Sequence, residues 1–175
     1  MNYAAVIAQI KQHCPMFKNV AGSADVEHAM SNANLPIPCA FVLPGPMEAA
    51  PNTESNGLNQ IVSETVCVLL VLDNRSDRRG QAAILTLDQA ISALHKALLN
   101  WRMDPDIQPK GFEFESAELA SMDGARLAYQ VNYSREIWLT DCDGFEPSSE
   151  PLLNIDGHDE RLDPSWRFDV SLPQT

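Results

Sequence analysis

The sequence has no apolar run long enough to cross a membrane as a helix. The longest, Val66 to Leu72, spans seven residues, where a membrane helix needs about 20. It has no surplus of base either. Its 24 acidic and 12 basic side chains leave a formal net charge of −12 and a pI near 4.5, and general nucleic-acid binding needs a basic footprint. The N-terminus has no basic segment followed by an apolar block, so no secretory signal is expected. The four cysteines, Cys14, Cys39, Cys67 and Cys142, are far apart. No cysteine or histidine pair has zinc-binding spacing, and the thiols read as reduced, cytosolic ones, with Cys39 and Cys67 as small core residues.

Catalytic machinery is equally hard to find. There is no phosphate-binding glycine loop, no dinucleotide fingerprint and no internal repeat. None of His13, His28, His95 and His158 stands near a serine, cysteine or acid at a spacing that would make a nucleophile; His95 reads as a helix-flank residue. Asp141-Cys142-Asp143-Gly144-Phe145-Glu146 resembles part of a calcium loop, but the terminal bidentate glutamate is not in register, so the stretch reads as a turn. The expectation is a protein that is no enzyme and holds no cofactor and no metal.

What the sequence does hold is organised around Gln60 to Trp101. Ile61 to Leu72 is rich in β-branched residues, and its second half is apolar on both pleat faces, which predicts a strand covered on both sides. Asp73-Asn74-Arg75-Ser76-Asp77-Arg78-Arg79-Gly80 is polar throughout and predicts an exposed turn. Gln81 to Asn100 follows, with Ile84, Leu87, Ile91, Leu94 and Leu98 spaced as one helical stripe. A buried strand followed by an amphipathic helix is the unit of a sheet covered by helices. At 175 residues the chain suits one domain, or one domain with an appendage.

Elsewhere the local signals are these. Asn2 caps a first helix carrying Tyr3, Val6, Ile7, Ile10 and Cys14, and Pro15 ends it soon after His13. Phe17 to Val20 is a short strand or a linker. Asp25 caps a short second helix, and Asn34 to Pro38 is irregular because two prolines flank one residue. Cys39 to Leu43 is a short strand closed by Pro44-Gly45-Pro46, and Met47 to Asn59 is a polar loop. Asp104-Pro105-Asp106 is a turn. Gly111 to Leu119 and Arg126 to Trp138 alternate polar with apolar and predict strands with one wet face, joined at Asp123-Gly124. The alternation breaks near Ser134 to Glu136, which predicts a bulge or the strand's end.

Composition shifts after Thr140. Residues 1–140 carry 15 acids and 10 bases, whereas residues 141–175 carry 9 acids and 2 bases. We divide the chain accordingly into a body, residues 1–140, and an acidic, proline-containing arm, residues 141–175. The arm has too few apolar residues for its own core, yet it keeps Phe145, Leu152, Leu153, Trp166, Phe168, Val170 and Leu172. Such residues predict an arm that docks, either on its own body or on a neighbouring subunit.

The order of segments in residues 1–138 resembles the tail terminator proteins of tailed bacteriophages. The likeness lies in the N-terminal helix running into Pro15-Met16-Phe17-Lys18-Asn19-Val20, in Pro38-Cys39-Ala40-Phe41-Val42-Leu43-Pro44, in Val66 to Leu72 with its Asp73–Gly80 turn, and in Ala97-Leu98-Leu99-Asn100-Trp101. Members often have Gly-Trp at that helix end; here Asn100 replaces the glycine. The resemblance implies an α/β (α+β) subunit, a single mixed or antiparallel sheet flanked by helices, with the extended C-terminal arm added. It implies a virion protein made in the host cytoplasm, which forms a hexameric ring that caps the tail tube, halts its polymerisation and meets neck or head-completion proteins. Under it, Asp73, Arg75, Asp77, Arg78, Arg79 and Trp101, with Trp166 and Phe168 of the arm, are expected at ring or tube contacts. DNA would pass through an acidic lumen without specific binding, and no membrane is involved. The rival reading is an adaptor or binding module, such as another head–tail joining component; a small hydrolase is a weaker one, since no nucleophile is offered.

Overall fold

The architecture comes from a computed structural model, which describes residues 1–22, 34–75, 81–103, 110–145, 154–158 and 167–171; for 81, 82 and the last two stretches it gives the backbone course alone. Asn2 starts the first helix as expected, its Oδ1 accepting the Ala5 N–H at 3.2 Å. Helix α1, Tyr3–His13, buries Val6 and Ile10. The strand β1 is Asn19–Gly22. The second helix expected at Asp25 and the turn expected at Asp104 fall outside the described residues.

Strand β2 is longer than the sequence suggests. It runs Cys39–Ala49, through Pro44 and Pro46. The reason lies in its neighbour. Among the described residues β1 runs parallel to it from Asn19↔Cys39 to Gly22↔Val42, so the prolines fall beyond that described pairing, where a missing N–H costs a strand least. The register slips between Pro44 and Met47. Gly45 is needed in that slip, because a Cβ there would lie 2.8 Å from the Thr65 carbonyl oxygen.

Strand β3, Asn59–Asp73, is the centre. Helix α2, Gln81–Leu98, follows the turn. Strands β4, Glu113–Met122, and β5, Arg126–Thr140, form a hairpin whose turn is tied by Asp123 Oδ1, which accepts the Ala125 and Arg126 N–H groups at 2.7 Å each. The sheet order is β1-β2-β3-β5-β4, with every pairing antiparallel except β1 with β2. This is one open mixed sheet in an α+β body.

Both helices lie on the same face. Val66, Val68 and Leu70 of β3 pack there with Val131 and Tyr133 of β5 against Val6, Ile10, Ala90, Leu94 and Leu98. The opposite face holds a smaller cluster of Cys39, Phe41, Leu69, Val71 and Ala128, with Leu35, Ile37 and Leu43 against it. The second half of β3 is thus buried on both faces, as its composition predicts.

One expectation is overturned. β5 has no bulge at Ser134–Glu136; its register with β3 is unbroken from Arg126↔Asp73 to Thr140↔Asn59. The alternation breaks because Arg135, on the core face, is charged and nevertheless buried. The bulges sit instead in β4, between Phe114 and Ser116 and between Leu119 and Ser121.

Residues Cys142–Thr175 make a second compact unit. In it β6, Asn154–His158, pairs antiparallel with β7, Arg167–Ser171.

Candidate assembly surfaces

Charge marks two places on the β3–β5 ladder, a pair within it and its Asp73 end. At Glu64↔Arg135, Glu64 Oε2 accepts from Arg135 Nε at 2.9 Å and Nη2 at 2.6 Å, while Oε1 takes the Met1 ammonium at 2.9 Å. Both side chains are under a tenth exposed. Burial alone would raise the Glu64 carboxyl; the hydrogen bonds from the ammonium and from Arg135, with the charges behind them, outweigh it and hold Glu64 below the usual glutamate range. The Arg135 guanidinium also sits 5.7 Å over the Phe112 ring. Losing one partner of such a buried pair would leave the other charge uncompensated in the interior. Sequence reading missed it, and its one signal was the broken alternation.

At the end of the ladder Asp73 closes β3. The Arg75 N–H reaches Asp73 Oδ1 at 2.9 Å and the Arg75 Nε reaches it at 3.1 Å, and these bonds, the backbone one foremost, lower the Asp73 pKa. Both side chains are exposed, so the pair shapes the turn without much stabilising it. Asp77, Arg78 and Arg79, expected beside them, lie outside the described residues, as does Trp166; Phe168 stands in β7 opposite Gly157.

Trp101 is half-buried and stacks on Phe112 with centroids 5.9 Å apart. It packs against the main core. The Asn100 backbone ahead of it is left-handed, φ 58°, and its N–H donates to the Phe112 carbonyl at 2.8 Å. His95 is held on the helix flank, Nδ1 2.9 Å from the Tyr133 hydroxyl and its ring edge-on to Phe114 at 5.2 Å. The Asp141–Asp143 stretch is a short 3-10 turn, and Asp141 Oδ1 takes the Leu58 N–H at 2.7 Å, closing the β2–β3 hairpin.

Large apolar side chains left open on the body gather on β4 and its surroundings. Phe114, Leu119 and Met122 are each about half exposed or more, as are Ile84 and Leu85 of α2, and away from this group Met47 of β2 is open to the same degree. Further along the sheet Ile61 and Trp138 face each other across β3 and β5, with Trp138 55% exposed. The geometry offers flat apolar and charged surfaces, as an assembling subunit would. A family model described as phage tail terminator protein matches residues 1–140. The chain belongs to that family. It is therefore a structural protein of a phage tail, and its second unit lies beyond the part the tail terminator model covers. Among solved structures, a chain from the virion of native gene transfer agent (GTA) particle is similar at 12% identity, covering 78% of this chain and 96% of that one with a TM-score of 0.41. No curated protein matches. In this tail terminator Asn100 stands at the helix end in the left-handed conformation that glycine adopts most easily and asparagine next.

Proposed function

We propose that the protein is made in the host cytoplasm and closes into a ring, hexameric by family resemblance, that caps the finished tail tube. The ring stops tube polymerisation and joins the tail to neck or head-completion proteins, with DNA passing through its lumen. The family match over residues 1–140 carries this reading. The open apolar residues of the body support it, since a lone subunit gains nothing from Trp138 or Met122 in water. The turn residues Asp73, Arg75, Asp77, Arg78 and Arg79, together with the open part of Trp101, then make ring or tube contacts. The arm, with Trp166 and Phe168, clasps a neighbour; a two-stranded ribbon such as β6–β7 is marginal alone in water and gains from docking.

The test is the mass in solution by light scattering over a concentration series, alone and with tail-tube protein. A species near six times 19.3 kDa, and tubes that stop lengthening when it is added, is the expected result. A chain that stays monomeric in both conditions rejects the ring and favours the adaptor.

A further inference from the structure

A ring built from one kind of contact needs two different patches on each subunit, placed so that each meets the other on the next copy. Among the described residues the two lateral edges of the sheet are β4 and β1, and they differ in the way such a contact requires.

At the β4 edge, Phe114, Ala117, Leu119 and Met122 stand opposite Tyr133, Val131, Tyr129 and Leu127 and so share the helix-side face. No described helix covers them. α2 packs on β3 and β5, and its flank borders β4 where His95 meets Phe114. Ile84 and Ile91 fall on that same flank by helical spacing. The result is an open apolar stripe, with Phe114 47%, Leu119 52% and Met122 61% exposed. On the opposite face of the same edge strand Glu113 and Glu118 stand opposite Ser134 and Gln130, and Glu115 accepts from the Thr65 hydroxyl at 3.0 Å; all three are exposed, and β4 contains no base. Lys110, at the start of the edge, is held by Glu136 at 2.9 Å.

The opposite edge has the other sign. Residues 1–22 contain Lys11 and Lys18 and neither aspartate nor glutamate, in a chain of net charge −12. Lys11, His13 and Lys18 are all exposed, and α1, which packs on β1 and β2, also turns Ala4 and Ala8 outward. Small residues there permit close approach of an apolar partner.

We propose that the acidic, apolar β4 edge of one subunit docks on the basic α1–β1 edge of the next, a second copy of this chain. The inference rests on the ring reading and assigns its lateral contact. Pairing β4 with β4 would bring glutamates together and is disfavoured. The two bulges in β4 interrupt its outer backbone, so the contact is made by side chains and not by extending the sheet.

Two charge-reversed full-length variants test this by light scattering at low salt, with tail-tube protein present if the wild type needs it. One is Glu113→Lys with Glu118→Lys, the other Lys11→Glu with Lys18→Glu. All four sites are exposed, and an unchanged melting temperature checks that each body folds. Each variant alone should associate more weakly by at least about tenfold. An equimolar mixture should recover the assembly, because alternating copies present a reversed pair at one contact and a natural pair at the next. Added salt should weaken the wild-type contact. Leu119→Glu, which places charge within the stripe, should also dissociate the ring. If the wild type forms a ring and the reversed variants form it equally well, or if mixing does not restore it, this contact is wrong while the ring stands. If the wild type remains a monomer with and without tube protein, the ring reading and this contact fall together.

Discussion

The β3–β5 ladder is one unbroken register, yet its two halves are held by different physics. In the half from Thr65 to Leu72, the pairs on the helix side are Val66–Tyr133, Val68–Val131, Leu70–Tyr129 and Leu72–Leu127, all packed beneath the helices. Burial of such side chains stabilises by about 1.5–3 kcal/mol each and does not depend on pH. In the half from Asn59 to Glu64, the helix-side position next in line is Glu64 against Arg135, and the pair beyond it on the other face, Ile61–Trp138, is open. The first half folds the subunit. The second is held in register by an ion cluster and carries surface for something else to meet.

The sharpest way to break that comparison is to remove the hub of the cluster. Glu64 serves two cations, so Glu64→Gln leaves both the Met1 ammonium and Arg135 without their carboxylate. It should cost about 3–5 kcal/mol in urea unfolding. Arg135→Met should cost less, because Glu64 then keeps the ammonium. Equal costs, or a milder Glu64 variant, would mean that the cluster is not organised around Glu64.

Acid probes the same contrast more gently. The folded-state pKa of Glu64 is lowered, so its contribution is complete above the usual glutamate value of about 4.3 and is lost as pH falls from there through the lowered value. Unfolding midpoints measured between about pH 5 and pH 2 should fall more steeply for the wild type than for Glu64→Gln, which no longer has that proton to take up. Parallel curves would place the acid sensitivity elsewhere.

The same division explains what could be read from the sequence. β3 and α2 were legible because burial writes periodicity: Val66 to Leu72 apolar on both faces, Ile84 to Leu98 at spacings of three and four. The mixed sheet with its helices was legible through family resemblance. Arg135 was not, since a buried arginine and a surface one look alike until the partner opposite is known, and so its break in alternation resembled a bulge. The length of β2 was hidden by prolines whose tolerance depends on how far β1 reaches. The openness of Phe114, Leu119 and Met122 was hidden too, because alternation marks an apolar face without saying whether a helix covers it. Of the contact residues expected, Asp73 and Arg75 do form the turn together, while Trp101 packs against the core on one side.

The smallest effect concerns the end of α2, where helix, Trp101 and β4 meet. Asn100 has φ 58°, a region that costs an ordinary L-residue about 1–2 kcal/mol and glycine almost nothing. The strand entry presses on it: a Cβ on Gly111 would sit 2.2 Å from the Asn100 carbonyl carbon, so the Asn100 backbone cannot relax to a helical φ without moving Gly111 and Phe112. Asn100→Gly should therefore hold stability within about 0.5 kcal/mol, the eased backbone being offset by the freer unfolded chain. Asn100→Ala should lose about 1 kcal/mol, since alanine tolerates the left-handed region less well than asparagine. Thermal melts of the two variants beside the wild type decide it. If alanine is tolerated as well as glycine, the left-handed turn is not what the helix end demands, and Trp101 is held in place by its core packing, its stacking on Phe112 and its backbone hydrogen bonds.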